Sequence, residues 1–403
     1  MSKLSFDASL QEIQKLDLEP KGYENVSILD AHGRVLAKDI TACEDNPTQM
    51  MAAMDGYGIR HCDQELNLPI ASVNPAGSKR KVLEAKSAIK TFTGAPMPQG
   101  SDTLVPIENV AVTSGTISIK KPVTKGFATR DAAELYAKGD LLLQKGVQLG
   151  YAEIGVLSGL NKAFVPVLQK PKVAIVSSGS EILDIAQNQT DPSQIRSTNH
   201  IVMHVLAKRV GANVVQLGTV SDDKELLANT LQDALDSSDI VVSSGGVSVG
   251  DYDFTKEIVQ DHLGCEILFH GVVIKPGQHL LLAKKGKKLI LGVPGFAYSA
   301  TVTFLLYFDQ ILQKYGYESY FETIKADIEH SYEKKQKGKR AFVAVNCKYI
   351  DNGYYVNLEG KKTGSSALLT NLLDGACLME LSEDCTALQK GDTVIVRRLK
   401  QSL

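Results

Sequence analysis

Apolar positions change their spacing twice along the chain. Up to about Lys170, Leu10, Ile13 and Leu16 stand at helical intervals and predict one helix near the start, whereas VSILD and RVLAKDI are short and strand-like. This first third reads mostly as β-structure. Residues 92–100, FTGAPMPQG, read as a loop: Pro96 and Pro98 remove amide donors, while Gly94 and Gly100 permit sharp turns. From Pro171, unbroken apolar runs (KVAIVSS, VVQLGTVS, DIVVSSGG) alternate with amphipathic segments (STNHIVMHVLAKRVGA, DDKELLANTLQDALDSS, TKEIVQDHLG). That alternation predicts a parallel sheet covered on both faces. Ser197 or Thr198 is expected to cap the first of these helices and Gly211 to stop it. Residues 289–308 carry no charge over 20 positions, but Gly292, Pro294 and Gly295 interrupt them, so they read as a buried strand, a tight loop and a helix rather than a membrane span. This domain is expected to end near Tyr315. Beyond the Lys-rich run at 333–340, read as a solvated loop, AFVAVNCKYI, YYVNLEG, CLMEL and TVIVRRL predict a small β-barrel or sandwich.

Composition narrows the picture. The 403 residues are 43% hydrophobic and 22% charged, which suits several folded domains. The expected architecture is multidomain α/β plus β, divided as 1–170, 171–316 and 322–403. Lys plus Arg (44) nearly balance Asp plus Glu (46), so no nucleic-acid or membrane partner is expected. The six cysteines form no C-x-x-C pair, and Asp7 falls where a signal peptide needs an apolar run. A cytoplasmic protein with reduced thiols is expected.

Three strands of the central region each run into a Gly-rich turn: VAIVSSGSE (173–181), IVVSSGGVSVGDYD (240–253) and LILGVPGFAYS (289–299). The carboxyl edge of an open parallel sheet is where ligands bind, and backbone amides there suit phosphate. Ser177, Ser178, Ser244 and Ser248, together with the glycines, mark a phosphate or pyrophosphate site; the spacing is neither a P-loop nor G-x-G-x-x-G. Glu181, Asp222, Asp251 and Asp253 crowd the same edge. As a set they suit Mg²⁺, whereas Asp222 and Asp253 would serve equally as helix caps. Lys275, before Pro-Gly in VVIKPGQH, is placed to neutralise anionic charge. No Ser/His/Asp triad or activated thiol stands out.

With these residues in view, the chain resembles the MoeA family of molybdopterin molybdenumtransferases, the family of the gephyrin E domain. The resemblance rests on MDGYGIR (54–60), FTGAPMPQGSDTLVPIE (92–108), VAIVSSGSEI, SSGGVSVGDYDFTK (243–256), IKPGQ (274–278) and GVPG (292–295). It implies two interleaved N-terminal subdomains, a central molybdopterin-binding domain, a C-terminal β-domain and a homodimer with its cleft between subunits. It also implies the reaction: adenylylated molybdopterin is hydrolysed with Mg²⁺ and molybdate, AMP leaves, and molybdenum stays on the dithiolene. Catalytic roles then fall to Asp55, Glu181, Asp222, Asp253 and Lys275, with Glu181 and Asp253 on the metal. Thr93, Ser178, Gly179, Ser244, Gly245, Gly246, Ser248, Gly250, Pro294 and Gly295 would hold the pterin substrate. Other cofactor-assembly proteins or recipient molybdoenzymes are candidate partners.

Several motif positions depart from the family pattern. Met51, Ala52 and Ala53 replace Asn-Ser-Ala; Ser180 replaces an acid; Leu135 replaces a carboxylate; Gly271 replaces a lysine; and Phe296-Ala297-Tyr298 replaces Asn-Pro-Val. These departures remove anion and metal contacts but leave the scaffold. The alternative to the enzyme is therefore a weakened paralogue that binds, stores or delivers molybdopterin or the molybdenum cofactor.

Overall fold

The computed structural model describes residues 2–19, 22–245 and 257–400, which fall into two compact units. One comprises 27–30 and 38–165; the other comprises 1–26, 31–37 and 166–403.

In the smaller unit, β1 (Gly56–Ile59), β2 (Leu68–Asn74), β3 (Ala88–Thr91), β4 (Thr103–Pro106), β5 (Val110–Thr113) and β6 (Thr116–Ile119) form a mainly antiparallel sheet ordered β4-β1-β3-β2-β6-β5. Tyr57, Ile59, Leu68, Ala88, Val105 and Ile117 make its core. Gly56 is required by close approach, because a Cβ there would lie 2.3 Å from the Val105 carbonyl oxygen. The 92–100 segment is a loop, and it is pinned to the start of the MDGYG motif: Ala52 donates to the Ala95 carbonyl (2.9 Å), and Gly94 and Met97 donate to the Ala52 and Met50 carbonyls. Ala52 is buried against Met97 and Leu104. The polar residues missing just before Met54 have thus been exchanged for packing.

The larger unit is built on six strands: β7 (Lys172–Ser178), β8 (Asn213–Val220), β9 (Ile240–Ser244), β10 (Glu266–His270), β12 (Leu281–Lys285) and β13 (Lys288–Val293), with the two-residue β11 (Ile274–Lys275) lying outside this sheet. The sheet order is β8-β7-β9-β13-β12-β10, in which β8, β7, β9 and β13 pair in parallel, β12 runs antiparallel to β13, and β10 runs antiparallel to β12. Among the described residues, four α-helices accompany it: α1 (Phe6–Gln14), α2 (Asn199–Arg209), α3 (Lys224–Ser237) and α4 (Ala297–Lys314). Apolar residues on both faces of β7, β9 and β13 are fully buried, which explains their unbroken hydrophobic runs. The strand, loop and helix expected at 289–308 are all present, and no described helix is long and apolar enough to cross a membrane.

The C-terminal strands β14 (Phe321–Ile328), β15 (Arg340–Ile350), β16 (Gly353–Asn357), β17 (Cys377–Leu381) and β18 (Thr393–Leu399) pair in the order β15-β16-β14-β18-β17, and β17 pairs again with β15. That last ladder closes a barrel and removes the sheet edges.

Local expectations changed at a few places. Thr198 occupies the cap position of α2 without a side-chain cap bond, because Ser197 Oγ instead meets His200 Nδ1 at 2.7 Å. Gly211 follows the helix at φ +91°, as a stop requires. Asp222 does not cap α3: Asp223 does, accepting the Leu226 amide at 2.8 Å. The strand expected at RVLAKDI is reduced to Ile40–Thr41, and VSILD ends in the single turn Ile28–Asp30.

Candidate active site

The parallel register decides which hydroxyls meet. Ser177 pairs with Thr219 on one side and with Ser244 on the other, so three hydroxyl side chains stand in one row across β8, β7 and β9 at the carboxyl edge. Ser177, Ser178, Thr219 and Ser243 each bury a hydroxyl oxygen that has no hydrogen-bond partner among the described residues. Buried polar atoms are almost always paired, so Ser177 and Thr219 on one face of the sheet, and Ser178 and Ser243 on the other, mark places where a partner outside the described residues belongs.

Gly-rich turns cap the row. Gly179 (φ +150°) donates to the Val220 carbonyl, and the Glu181 carboxylate folds back over it, 3.0 Å from where a Cβ would be. Gly245 (φ +91°) approaches so closely that a Cβ would be 2.6 Å from the Ser178 carbonyl oxygen. The Gly245 amide reaches the Val293 carbonyl at 3.3 Å, and Gly295 packs on Gly245. Ser178, Gly179, Ser244, Gly245, Pro294 and Gly295 therefore converge on one edge. Gly246, Ser248, Gly250 and Asp253, with the neighbouring Asp251, lie outside the described residues.

Asn199 was not anticipated. It is only 8% exposed, and its amide nitrogen donates to Ser244 Oγ and to the Gly295 carbonyl, both at 2.7 Å, tying the second turn to the third. The signal was present: a polar Asn-His pair opens α2 where an amphipathic helix would turn apolar residues to the sheet.

Of the carboxylates, Glu181 is exposed and makes no side-chain hydrogen bond with a described residue. Asp222 accepts the Ser180 amide at 3.1 Å through Oδ2. No three His, Cys, Asp or Glu among the described residues form a metal-holding group. Of the expected metal pair Glu181 and Asp253, only Glu181 is described, and its exposed carboxylate is of the type that suits Mg²⁺.

Lys275 ends β11, and the turn behind it is seated by Gly277, whose missing Cβ would fall 1.9 Å from Thr303 Cγ2 of α4. The Lys275 ammonium is 3.4 Å from Ser366 Oγ, and the Ser366 carbonyl accepts the Ser299 amide at the start of α4. Lys275 thus connects, through Ser366, to the helix that follows the Pro294-Gly295 turn. It lines an open cleft with Lys334, Lys335, Lys361, Lys362 and Ser365, and no carboxylate faces this cleft among the described residues. Lys334 is 4% exposed and donates to the Ser382 and Glu383 carbonyls, so the Lys-rich run is not simply solvated. Burial lowers the pKa of Lys334.

In the smaller unit, Asp55 and Thr93 meet directly. Asp55 Oδ1 accepts the Thr93 amide at 2.8 Å and its hydroxyl at 2.7 Å. Those two bonds, the amide first, hold the Asp55 carboxyl below its usual pKa despite full exposure. Leu135 is 58% exposed, so its apolar side chain is not retained for packing.

An open parallel sheet with Gly-rich turns at its carboxyl edge, with a separate β-unit carrying an exposed aspartate, defines a multidomain α/β protein of the ligand-binding sheet-edge class. Residues 4–160 match the MoeA N-terminal region (domain I and II), and residues 174–314 match a probable molybdopterin binding domain. The chain belongs to the MoeA family of molybdopterin molybdenumtransferases. A molybdopterin molybdenumtransferase from Nostoc sp. is 32% identical, over 96% of this chain and 91% of that protein. One from Haemophilus influenzae is 28% identical, over 94% of each. The crystal structure of a molybdopterin biosynthesis MoeA protein from Pyrococcus horikoshii OT3 superposes with a TM-score of 0.82 at 27% identity, covering 98% of this chain and all (100%) of that one.

Proposed function

We propose that this chain inserts molybdenum from molybdate into adenylylated molybdopterin, with Mg²⁺-dependent release of AMP, as a cytoplasmic homodimer. The observation that carries the reading is the set of buried hydroxyls at the carboxyl edge, by Gly179 and Gly245, that have no partner among the described residues and suit the phosphate of a pterin substrate. The pyrophosphate link is broken by water: a new oxygen–phosphorus bond forms on the adenylyl side, the bond to the bridging oxygen breaks, and the displaced phosphate stays on the pterin. Bound Mg²⁺ would supply charge neutralisation between the phosphates. Glu181 would hold that ion, with Asp253 as the second carboxylate that the resemblance implies. The hydroxyl row and the Gly-turn amides fix the pterin phosphate. Lys275 offsets negative charge on molybdate or on the displaced phosphate. Asp55, already ionised through Thr93, accepts a proton from water or orients it.

Incubating the pure protein with adenylylated molybdopterin, molybdate and Mg²⁺ and measuring AMP tests the proposal directly. AMP release that requires all three, and that Ser177→Ala weakens through KM, is the expected result. Binding of the pterin without AMP release would leave a carrier in place of the enzyme.

A further inference from the structure

The first residues of the chain are held in place by several independent contacts. Ser5 caps α1 by accepting the Ala8 amide at 3.2 Å, and Phe6 and Ile13 are buried in the main core. Ser9 Oγ lies 2.6 Å from the Tyr307 hydroxyl, and Asp7 pairs with Arg340 at 2.9 Å. Before the helix, Leu4 pairs alongside the segment leading into β11: its amide donates to the Gly271 carbonyl (3.2 Å), and its carbonyl accepts the Val273 amide (2.8 Å). This pairing lays Lys3 over Gly271.

Gly271 is the position at which the family pattern has lysine, four residues before Lys275. Here φ is +91°, and a Cβ would be 2.9 Å from Lys3 Cγ and 3.5 Å from Lys3 Cε. The Lys3 stem occupies the space in which a side chain at 271 would begin. Gln278, within the same loop, places its carbonyl oxygen 3.6 Å from that point, while its side-chain oxygen accepts Lys339 Nζ at 2.6 Å. Lys3 forms no ion pair or hydrogen bond with a described residue, and Asp7, the acid of α1 nearest in sequence, is engaged by Arg340. Three ammonium groups, Lys3, Lys275 and Lys339, therefore surround one loop; burial first, then repulsion from Lys3 and Lys275, lowers the pKa of Lys339. Like charges brought together at one loop favour an anion among them.

We propose that Lys3, carried in from the N-terminus by the Leu4 pairing, replaces the ammonium absent at position 271 and binds the oxyanion substrate beside Lys275. The assignment rests on the molybdate-transferring role proposed above and adds to it a binding residue some 270 positions away in sequence.

Calorimetric titration of the full chain with molybdate tests it, using wild type, Lys3→Ala, Lys3→Arg and Lys275→Ala. Lys3→Ala is expected to weaken molybdate binding about fivefold, the scale of one exposed charge contact, and Lys3→Arg to retain it. An NMR titration gives a readout independent of binding. The pKa of the His279 imidazole is lowered by burial first and then by Lys3, His270 and Lys339, so it should rise in Lys3→Ala. Wild-type binding that Lys275→Ala abolishes and Lys3→Ala leaves unchanged overturns the role of Lys3 alone. Failure of the wild type to bind molybdate overturns the functional proposal and this one together.

Discussion

Ser180 and Asp222 exchange two hydrogen bonds: the Ser180 amide donates to the Asp222 carboxylate at 3.1 Å, and the Asp222 amide donates to Ser180 Oγ at 3.0 Å. This reciprocal pair joins the turn after β7 to the end of β8. It gives Ser180, which stands where the family carries an acid, a structural role that an acid could fill only by placing a second negative charge against Asp222. Ser180→Ala should cost about 0.5 kcal/mol, the low end for a hydrogen bond, because water reaches both residues. Urea unfolding measures this. Ser180→Asp should lower Tm in chelator and recover it on adding Mg²⁺, since the two carboxylates repel until a cation lies between them.

Gly245→Ala should be among the most damaging small changes in the larger unit. The added methyl meets the Ser178 carbonyl at 2.6 Å in a backbone region that suits glycine. A loss of about 1–3 kcal/mol is expected. Chemical denaturation gives the stability, and phosphate binding should fall in the same variant because the turn must move.

Asp55 titrates below an ordinary carboxyl because Thr93 hydrogen-bonds its charged form. That stabilisation is fully present above the ordinary carboxyl pKa and is lost as pH falls through the lowered folded value. Thr93→Val removes the hydroxyl bond, so the Asp55 titration and the acid limb of the pH–rate profile should both move to higher pH. Carbon-detected NMR of the Asp55 carboxyl reports the first, and initial rates the second.

Cys347 and Cys377 face each other in the C-terminal barrel. Their mutual interaction lowers the pKa of the Cys347 thiol and raises that of Cys377, whose Sγ also lies 3.8 Å from the Gly375 carbonyl oxygen. Cys347 should alkylate at lower pH than an ordinary thiol, and Cys377→Ala should shift its midpoint upward. Mass-spectrometric timing of iodoacetamide labelling reads both.

If the site draws on both protomers of a homodimer, mixing Asp55→Ala with Lys275→Ala protein should restore part of the activity that each lacks alone. No recovery after subunit exchange, or a strict monomer by light scattering, would remove the shared-site arrangement.

The sequence made some features of the fold legible because they rest on local period. β7, β9 and β13 were visible as unbroken apolar runs, since a strand covered on both faces has no polar face to interrupt it. The three Gly turns were visible for the same reason. Features that depend on pairing register or on distant chain were not legible. The Thr219-Ser177-Ser244 row exists only once β8, β7 and β9 are aligned. Asn199 serves two turns, the farther of them 96 residues away at Gly295. Ser366 and the cleft lysines come from the barrel region, which carried no motif. Tyr298, a departure from the family pattern, proved to be buried, with its hydroxyl donating to the Phe342 carbonyl and accepting the Ala344 amide, so that substitution serves packing.

The contact between Ser9 and Tyr307 spans 298 positions and has a consequence for the order of synthesis. A ribosome releases α1 early, but the helix that covers it emerges only after three-quarters of the chain. The intervening stretch 38–165, with 27–30, forms a compact unit and can finish folding while the rest is still being made. The exposed apolar face of α1, with Phe6 and Ile13, must wait. Nascent-chain proteolysis should find the inserted unit protected well before the residues that flank it, making this stretch of amphipathic helix the part of the protein most in need of a chaperone.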